Sequence, residues 1–460
     1  MIAQTLKAVA ATGQLGTGFK GETLAEAARG ASFIGCDAGS TDPGPYYLGS
    51  GETQAADAAL ERDLELIIEQ ALEHNIPAMI GSAGTGGGTP HLAHTRAIVE
   101  GIARKRKWRF SLAAIDSEIP PAAVAEALRR GRLRPLEGAP ELDAAGVLSA
   151  TRFVAMQGVE PFQEALRGGA QVILSGRCTD VSLYAALPLT AGVPPGVAYH
   201  AGKLLECGAA IAEQRSYPDA MAAWLDDAGF LVEPPNPTMR CTPQSVASHG
   251  MYECADPFLH VEPGGTLDLT NCTYEAVSDR AVRVAGGTFN STPRPTIRLE
   301  GARLVGYRTV VVAGIRDPLV LGQLNDFLDS ADAVIRDKIA HSLSLAPNDY
   351  RIKWRVYGRD GTLGELEPNQ SVTGHEIGLL IDIVADTQQL ASSIGSVAWH
   401  TALHHPIPEY SGLVSHLAFP FSPPGLDAGA VYSFCINHVI DLADLHDLDC
   451  LPKPVFAAIS

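Results

Sequence analysis

Ala78-Met-Ile-Gly-Ser-Ala-Gly-Thr-Gly-Gly-Gly-Thr-Pro-His91 decides the fold class. Three apolar residues read as a buried strand, a run of glycines follows, and helical spacing resumes over residues 91–104. Strand, glycine-rich loop and helix in that order present backbone N–H groups and a helix start to an anion such as a phosphate or carboxylate. Ser82, Gly84, Thr85, Gly86 and His91 are therefore candidate substrate-binding residues. The loop lacks the lysine of GxxxxGK[ST] and does not follow GxGxxG, so no particular nucleotide is specified. His91 and His94 lie one turn apart, a spacing that suits either two metal ligands or two capping groups.

Upstream, the strand 32–36 runs into Ile34-Gly-Cys-Asp-Ala-Gly-Ser-Thr-Asp-Pro-Gly-Pro-Tyr-Tyr47, where Asp37 and Asp42 flank Ser40 and Thr41. A plain turn needs one capping residue, and this one holds two carboxylates and two hydroxyls. Helix 54–74 follows, with Leu60, Leu64, Ile67, Ile68 and Leu72 on one face. Downstream come strand 110–115 ending at Asp116 and Glu118, helix 121–130, helix 159–167, strand 171–174 and the loop Ser175-Gly-Arg-Cys-Thr-Asp180. This rhythm predicts an α/β domain with a mostly parallel sheet flanked by helices, whose ligands bind where loops leave the carboxyl ends of the strands. Asp37, Asp42, the glycine loop, Arg177 and Asp180 all fall at such positions.

From about residue 227 the texture changes. Short β-type runs at 266–270, 281–284, 296–299 and 309–313 predict a strand-rich segment over about 230–315. Helix 320–342, strand 350–357, a hairpin turn at Gly358-Arg-Asp-Gly361, strand 377–384 and helix 387–400 complete the chain. The expected division is residues 1–345 and 346–460.

The formal charge of −18 over 460 residues disfavours nucleic acid and anionic lipid as partners, and Arg104-Lys-Arg-Lys107 reads as a solvated helix end. No apolar run reaches the length of a membrane span, and the start lacks a signal-peptide pattern, so the expected location is cytoplasmic. Eight scattered cysteines without CxxC spacing read as reduced thiols. Cys36 and Cys178 could act as nucleophiles only if a neighbour lowered their pKa. His400, His404 and His405 suit an interface or surface role better than a metal site.

Several stretches together resemble the acyclic terpene utilisation, AtuA-type, family. They are Asp37 to Gly51, the loop 81–88, Gly176-Arg-Cys-Thr-Asp-Val-Ser182, Leu204-Leu-Glu-Cys-Gly208, Tyr252-Glu-Cys-Ala-Asp-Pro257, Thr387-Gln-Gln-Leu-Ala391 and Ala418-Phe-Pro-Phe-Ser-Pro423. The chain departs from the expected Gly-Gly pair at Met239-Arg-Cys-Thr-Pro243. The resemblance covers nearly the whole chain and implies a small C-terminal α+β, ferredoxin-like domain and a role in carboxylic-acid or isoprenoid-acid breakdown.

The residues favour a lyase, hydratase or isomerase acting on a hydroxy or unsaturated carboxylate, free or as its CoA thioester, in a homo-oligomer. Arg177 would grip a carboxylate through paired hydrogen bonds. Asp37, Asp42 or Asp180 would move the proton, or two of them would hold magnesium or manganese. Ser40, Thr41, the glycine loop, Glu206 and Glu253 would bind substrate, although Arg177 and Asp180 could simply pair with each other. Two other readings compete: ATP-dependent phosphoryl transfer, since Asp37-Ala-Gly-Ser-Thr41 also resembles the phosphate loop of actin-like kinases, and a non-catalytic assembly protein.

Overall fold

A computed structural model describes residues 5–213, 217–252, 254–369, 371, 374–409 and 415–459. By packing, the chain forms two compact units, Met1–Arg303 with Phe434–Ser460, and Leu304–Ser433.

The first unit is built on a ten-stranded sheet. Its middle is five parallel strands in the order Leu6–Ala10, Phe33–Asp37, Ala78–Gly81, Val172–Ser175 and Phe110–Ile115. Each is apolar on both faces, and alternation divides its residues between two cores. Val9, Ile34, Cys36, Ile80, Leu112 and Leu174 pack on one side with Leu64, Ile67 and Ile68 of helix Asp57–His74 and Val99 and Ile102 of helix Thr89–Arg106. Ala8, Phe33, Met79, Ala113 and Ile173 pack on the other with Phe162, Leu183, Tyr184 and Leu204.

The sheet is mixed, where the sequence rhythm suggested a mostly parallel one. Met221–Leu225, Gly229–Glu233, Val282–Ala285 and Thr273–Ala276 extend it antiparallel beyond Leu6–Ala10, and Pro454–Ile459 closes the other edge antiparallel to Phe110–Ile115. Much of the strand-rich segment thus continues the main sheet instead of forming a layer of its own. Leu259–Glu262, Gly265–Asp268 and Thr288–Ser291 form a separate antiparallel sheet, seated against helix Pro195–Leu205 by Phe289 stacked on Tyr199 at 4.1 Å.

Two helices absent from the sequence reading, Ser182–Thr190 and Pro195–Leu205, cover the second face. They lie so close that a Cβ at Gly35 would stand 2.5 Å from the Tyr184 ring, and one at Gly81 2.5 Å from Leu183. Both glycines are therefore needed for close approach. Strand order places the switch in winding direction between Ala78–Gly81 and Val172–Ser175, where an open α/β sheet leaves a crevice.

The second unit is α+β. Ile377–Ala385 lies between Tyr350–Tyr357 and the end of the twenty-residue strand Thr296–Ile315, antiparallel to both. Helices Leu324–Leu343 and Gln388–Leu403 supply Phe327, Ile335, Ile339, Ala391, Ile394 and Ala398 to a core shared with Val311, Leu379 and Ile381. Thr387 caps the second helix, its side chain accepting from the N–H of Leu390.

Candidate functional site

Loops 38–44, 82–88 and 176–181 leave neighbouring parallel strands and interlock. Ala38 N–H donates to Gly81 C=O at 2.9 Å, Thr85 N–H to Ala38 C=O at 3.2 Å, Ala83 N–H to Ser175 C=O at 2.8 Å and Arg177 N–H to Gly87 C=O at 3.0 Å. The expected shared edge is real. The glycine loop's place in it is internal: residues 81–88 are all buried. A Cβ at Gly84 would meet His91 at 2.7 Å, one at Gly86 the Leu48 backbone at 2.9 Å, and one at Gly87 the Arg177 nitrogen at 2.3 Å. Thr85 Oγ1 accepts from Gln54 N–H.

His91 is fully buried. Its Nδ1 accepts from Gly88 N–H at 3.1 Å, so the proton sits on Nε2, which donates to the carbonyls of Tyr47 and Glu52 at 3.0 and 3.1 Å. Burial, helped by Arg152, pushes it down to about 4. It is a neutral clamp between segments, and His94 turns away to pair with Asp57 at 2.8 Å. Asp116 and Glu118 also serve helix Thr89–Arg106, accepting from Thr89 Oγ1 and Thr89 N–H.

A cavity of about 850 Å³ opens beside these loops, wholly within the first unit. Its wall includes Ser40, Asp42, Arg177, Asp180 and Glu206 from the sequence reading. Gly84, Thr85, Gly86 and His91 are not on it, nor is Ser82, whose hydroxyl accepts from Arg177 Nη1 at 3.1 Å. Asp37 lies behind the wall, and Thr41 Oγ1 donates to Glu300 at 3.1 Å. Glu253 lies outside the described residues.

Arg177 is 5 % exposed. Its Nε donates to Glu300 at 2.8 Å, and Nη1 donates to Ser82, to Cys178 C=O at 2.9 Å and to Asp180 at 3.4 Å. The alternative, a pairing with Asp180, is present, but the principal partner is Glu300. Burial would raise the Glu300 pKa, and the guanidinium outweighs it and holds the carboxylate below its usual range. An arginine so engaged fixes the loop and offers little for a paired grip on a ligand.

The carboxyls along this side move the other way. Burial and Asp180 push Asp37 well up; it is 6 % exposed, and its Oδ1 has no hydrogen-bond partner. Burial raises Asp180 too, against Arg177 and with Asp42, and the 35 % of its side chain left exposed softens that push. Burial raises Glu206 to about 8 despite the Lys203 ammonium 2.6 Å away, because Asp180 also faces it. Glu262, which accepts from Thr179 Oγ1 at 2.7 Å, is raised by burial to about 7.

Lys203, Thr179, His260, Glu262 and Glu300 are functional candidates that the sequence reading passed over. The available signal was Lys203 itself, a cation inside the apolar helix Pro195–Leu205 and three residues before Glu206. Cys36 and Cys178 are both fully buried, and burial pushes Cys178 up to about 12 and Cys36 well above the usual thiol range. Both are therefore held as thiols, the reverse of nucleophile activation. Among the described residues, no group of three or more His, Cys, Asp or Glu side chains is arranged to hold a metal ion. His405 is buried in the second unit against Ser330 Oγ at 2.8 Å. No described helix is long and apolar enough to cross a membrane.

No curated protein and no solved structure matches the chain. A family model does: the one described as acyclic terpene utilisation family protein AtuA matches residues 50–413, which span both compact units. The chain belongs to the AtuA family.

Proposed function

We propose that the protein is a metabolic enzyme of the lyase, hydratase or isomerase type, acting on a hydroxy or unsaturated carboxylate, free or as its CoA thioester. The observation that carries this reading is the crowding of Asp180, Glu206 and Glu262 on one cavity wall, with Asp37 buried behind them. Carboxyls raised to about 7 and 8 exchange protons readily at neutral pH, which ordinary carboxylates do not. In an elimination, Asp180 or Glu262 takes the proton from the carbon next to the carboxyl group. Glu206, whose pKa burial raises, gives a proton in its acid form to the departing hydroxyl, so water and an unsaturated acid leave. Hydration runs the same transfers backwards. Arg177, tied to Glu300, holds Asp180 in place, and Ser40 and Asp42 line the entrance.

The family's link to acyclic terpene and carboxylate metabolism agrees with a carboxylate substrate. The loop after Asp37 leads into helix Pro45–Ser50 and then Asp57–His74, whereas the phosphate loop of an actin-like kinase leads into a hairpin. A divalent cation held by two of Asp37, Asp42 and Asp180 stays a proposal, and no step runs through one. We also retain as proposals a cytoplasmic homo-oligomer, domains at 1–345 and 346–460, and a ferredoxin-like arrangement of the second.

The test is turnover of 3-hydroxyacyl-CoA and enoyl-CoA probes, with deuterium uptake at the carbon next to the thioester, in the wild type, Asp180→Asn and Glu206→Gln. Exchange in the wild type that falls at least about a hundredfold in either variant is expected. Equal exchange in all three, or none in the wild type with any probe, contradicts the reading.

A further inference from the structure

We infer that Lys203 and His260 are the recognition point for a hydroxy-carboxyl unit, the ammonium taking a carboxylate or thioester oxygen and His260 Nδ1 accepting the hydrogen of the substrate's hydroxyl. This rests on the cavity being the substrate site and narrows its substrate to the hydroxylated class.

Lys203 is 7 % exposed, on a helix whose residues from Gly196 to Leu205 are all buried. An ammonium carries three donors. Among the described residues, Glu206 is the single acceptor hydrogen-bonded to Nζ, at 2.6 Å. Lys203 lines the cavity, so its remaining donors can be met by an oxygen on the cavity side. An oxygen carrying negative charge there completes the shell and stands beside Glu206 and Asp180, the groups that would move its protons.

His260 supplies the complementary acceptor. Nε2 lies 3.2 Å from Pro257 C=O, which can only accept, so the ring proton sits on Nε2 and Nδ1 carries a lone pair. Nδ1 is buried and has no hydrogen-bond partner, while His260 lines the cavity and is 6 % exposed. On strand Leu259–Glu262 the side chains alternate. His260 and Glu262 share one face, within electrostatic reach of Lys203, while Leu259 and Val261, 42 % and 81 % exposed, line the cavity at its open rim. An ammonium and an imidazole lone pair at one cavity match a group with an oxyanion and a hydroxyl, and a simple unsaturated acid leaves the imidazole unmet. In the hydration direction the same acceptor holds the attacking water.

Isothermal titration with 3-hydroxybutyrate and butyrate, each as free acid and CoA thioester, tests this. The proteins are the wild type, Lys203→Met, the double variant Lys203→Met/Glu206→Gln, and His260→Phe. The double variant leaves no buried charge unpaired, so it separates lost binding from lost folding, which circular dichroism checks. Both lysine variants are expected to weaken every probe the wild type binds by at least about thirtyfold. His260→Phe is expected to keep butyrate-type binding and erase an about fivefold wild-type preference for the hydroxylated probe. A folded double variant that binds like the wild type, a preference that survives His260→Phe, or a wild type that binds none of the four probes overturns the inference. Binding that depends on both residues without deuterium exchange would sink the proton-transfer reading and leave this one standing. Exchange that is unchanged in Lys203→Met would do the converse.

Discussion

The glycine loop 82–88 and the wall formed by Lys203, Glu206, His260 and Glu262 are neighbours with opposite histories in the sequence. The loop looks like a ligand cradle, and in the fold its glycines admit His91, Leu48 and Arg177 where no Cβ fits. The wall comes from an unremarkable helix and an edge strand, and it gathers two carboxyls raised to about 7 and 8 around a cavity. Composition marks where backbones must come close. Charge inside apolar surroundings marks where chemistry is held.

The comparison breaks most easily at the loop. Gly87→Ala places a Cβ 2.3 Å from the Arg177 nitrogen at a φ of +66°, and is expected to cost about 3–5 kcal/mol in urea unfolding. Unchanged stability would mean the loop has room, and a ligand role would reopen. Glu300→Ala strands the buried Arg177 charge and should cost about 3 kcal/mol, with the loss reduced when Arg177→Met is added. Additive losses in the double variant would contradict the pairing.

The two regions should also respond to pH with opposite sign. His91 has a folded pKa below its unfolded one, so its contribution is complete above pH 6.5 and lost as pH falls towards about 4, a loss of about 3 kcal/mol. Glu206 and Glu262 have raised folded pKa values. Their contribution is complete below about pH 4.5 and declines as pH rises through about 7 and 8. Stability measured from pH 4 to 9 should therefore decline less steeply between about pH 4.5 and 8 in Glu206→Gln than in the wild type, by up to about 1.4 kcal/mol per pH unit. A variant curve that matches the wild type would remove Glu206 from the account. The smallest effect belongs to exposed Asp42: Asp42→Asn should shift stability by less than about 0.5 kcal/mol, so any large change it makes in turnover is functional.

Most of the first unit was legible because parallel strands, buried on both faces, leave short apolar runs between helices. Strand Phe110–Ile115 and helices Asp57–His74 and Pro121–Arg129 fall within three residues of their expected bounds. Helix Pro195–Leu205 was not legible, since a helix buried all round has no polar stripe to set its period. The runs 296–299 and 309–313 merge into one strand that changes partner along its length, and Gly306, at a φ of +138°, brings the chain close to Ala385 C=O just before the second ladder begins at Tyr307. Ser40, Asp42, Arg177 and Asp180, read from their loops, and Glu206 all line the cavity. Glu262 and His260 could not be, because their meeting with Lys203 depends on a small sheet folding back over a distant helix.

The most direct measurement is a carbon-13 NMR titration of the glutamate carboxyls, with Glu206→Gln and Glu262→Gln assigning the two signals. Midpoints near 8 for Glu206 and near 7 for Glu262 are expected, with the Glu206 midpoint falling when Glu262 is removed. Both titrating in the ordinary range near 4.5 would contradict a proton-transferring wall.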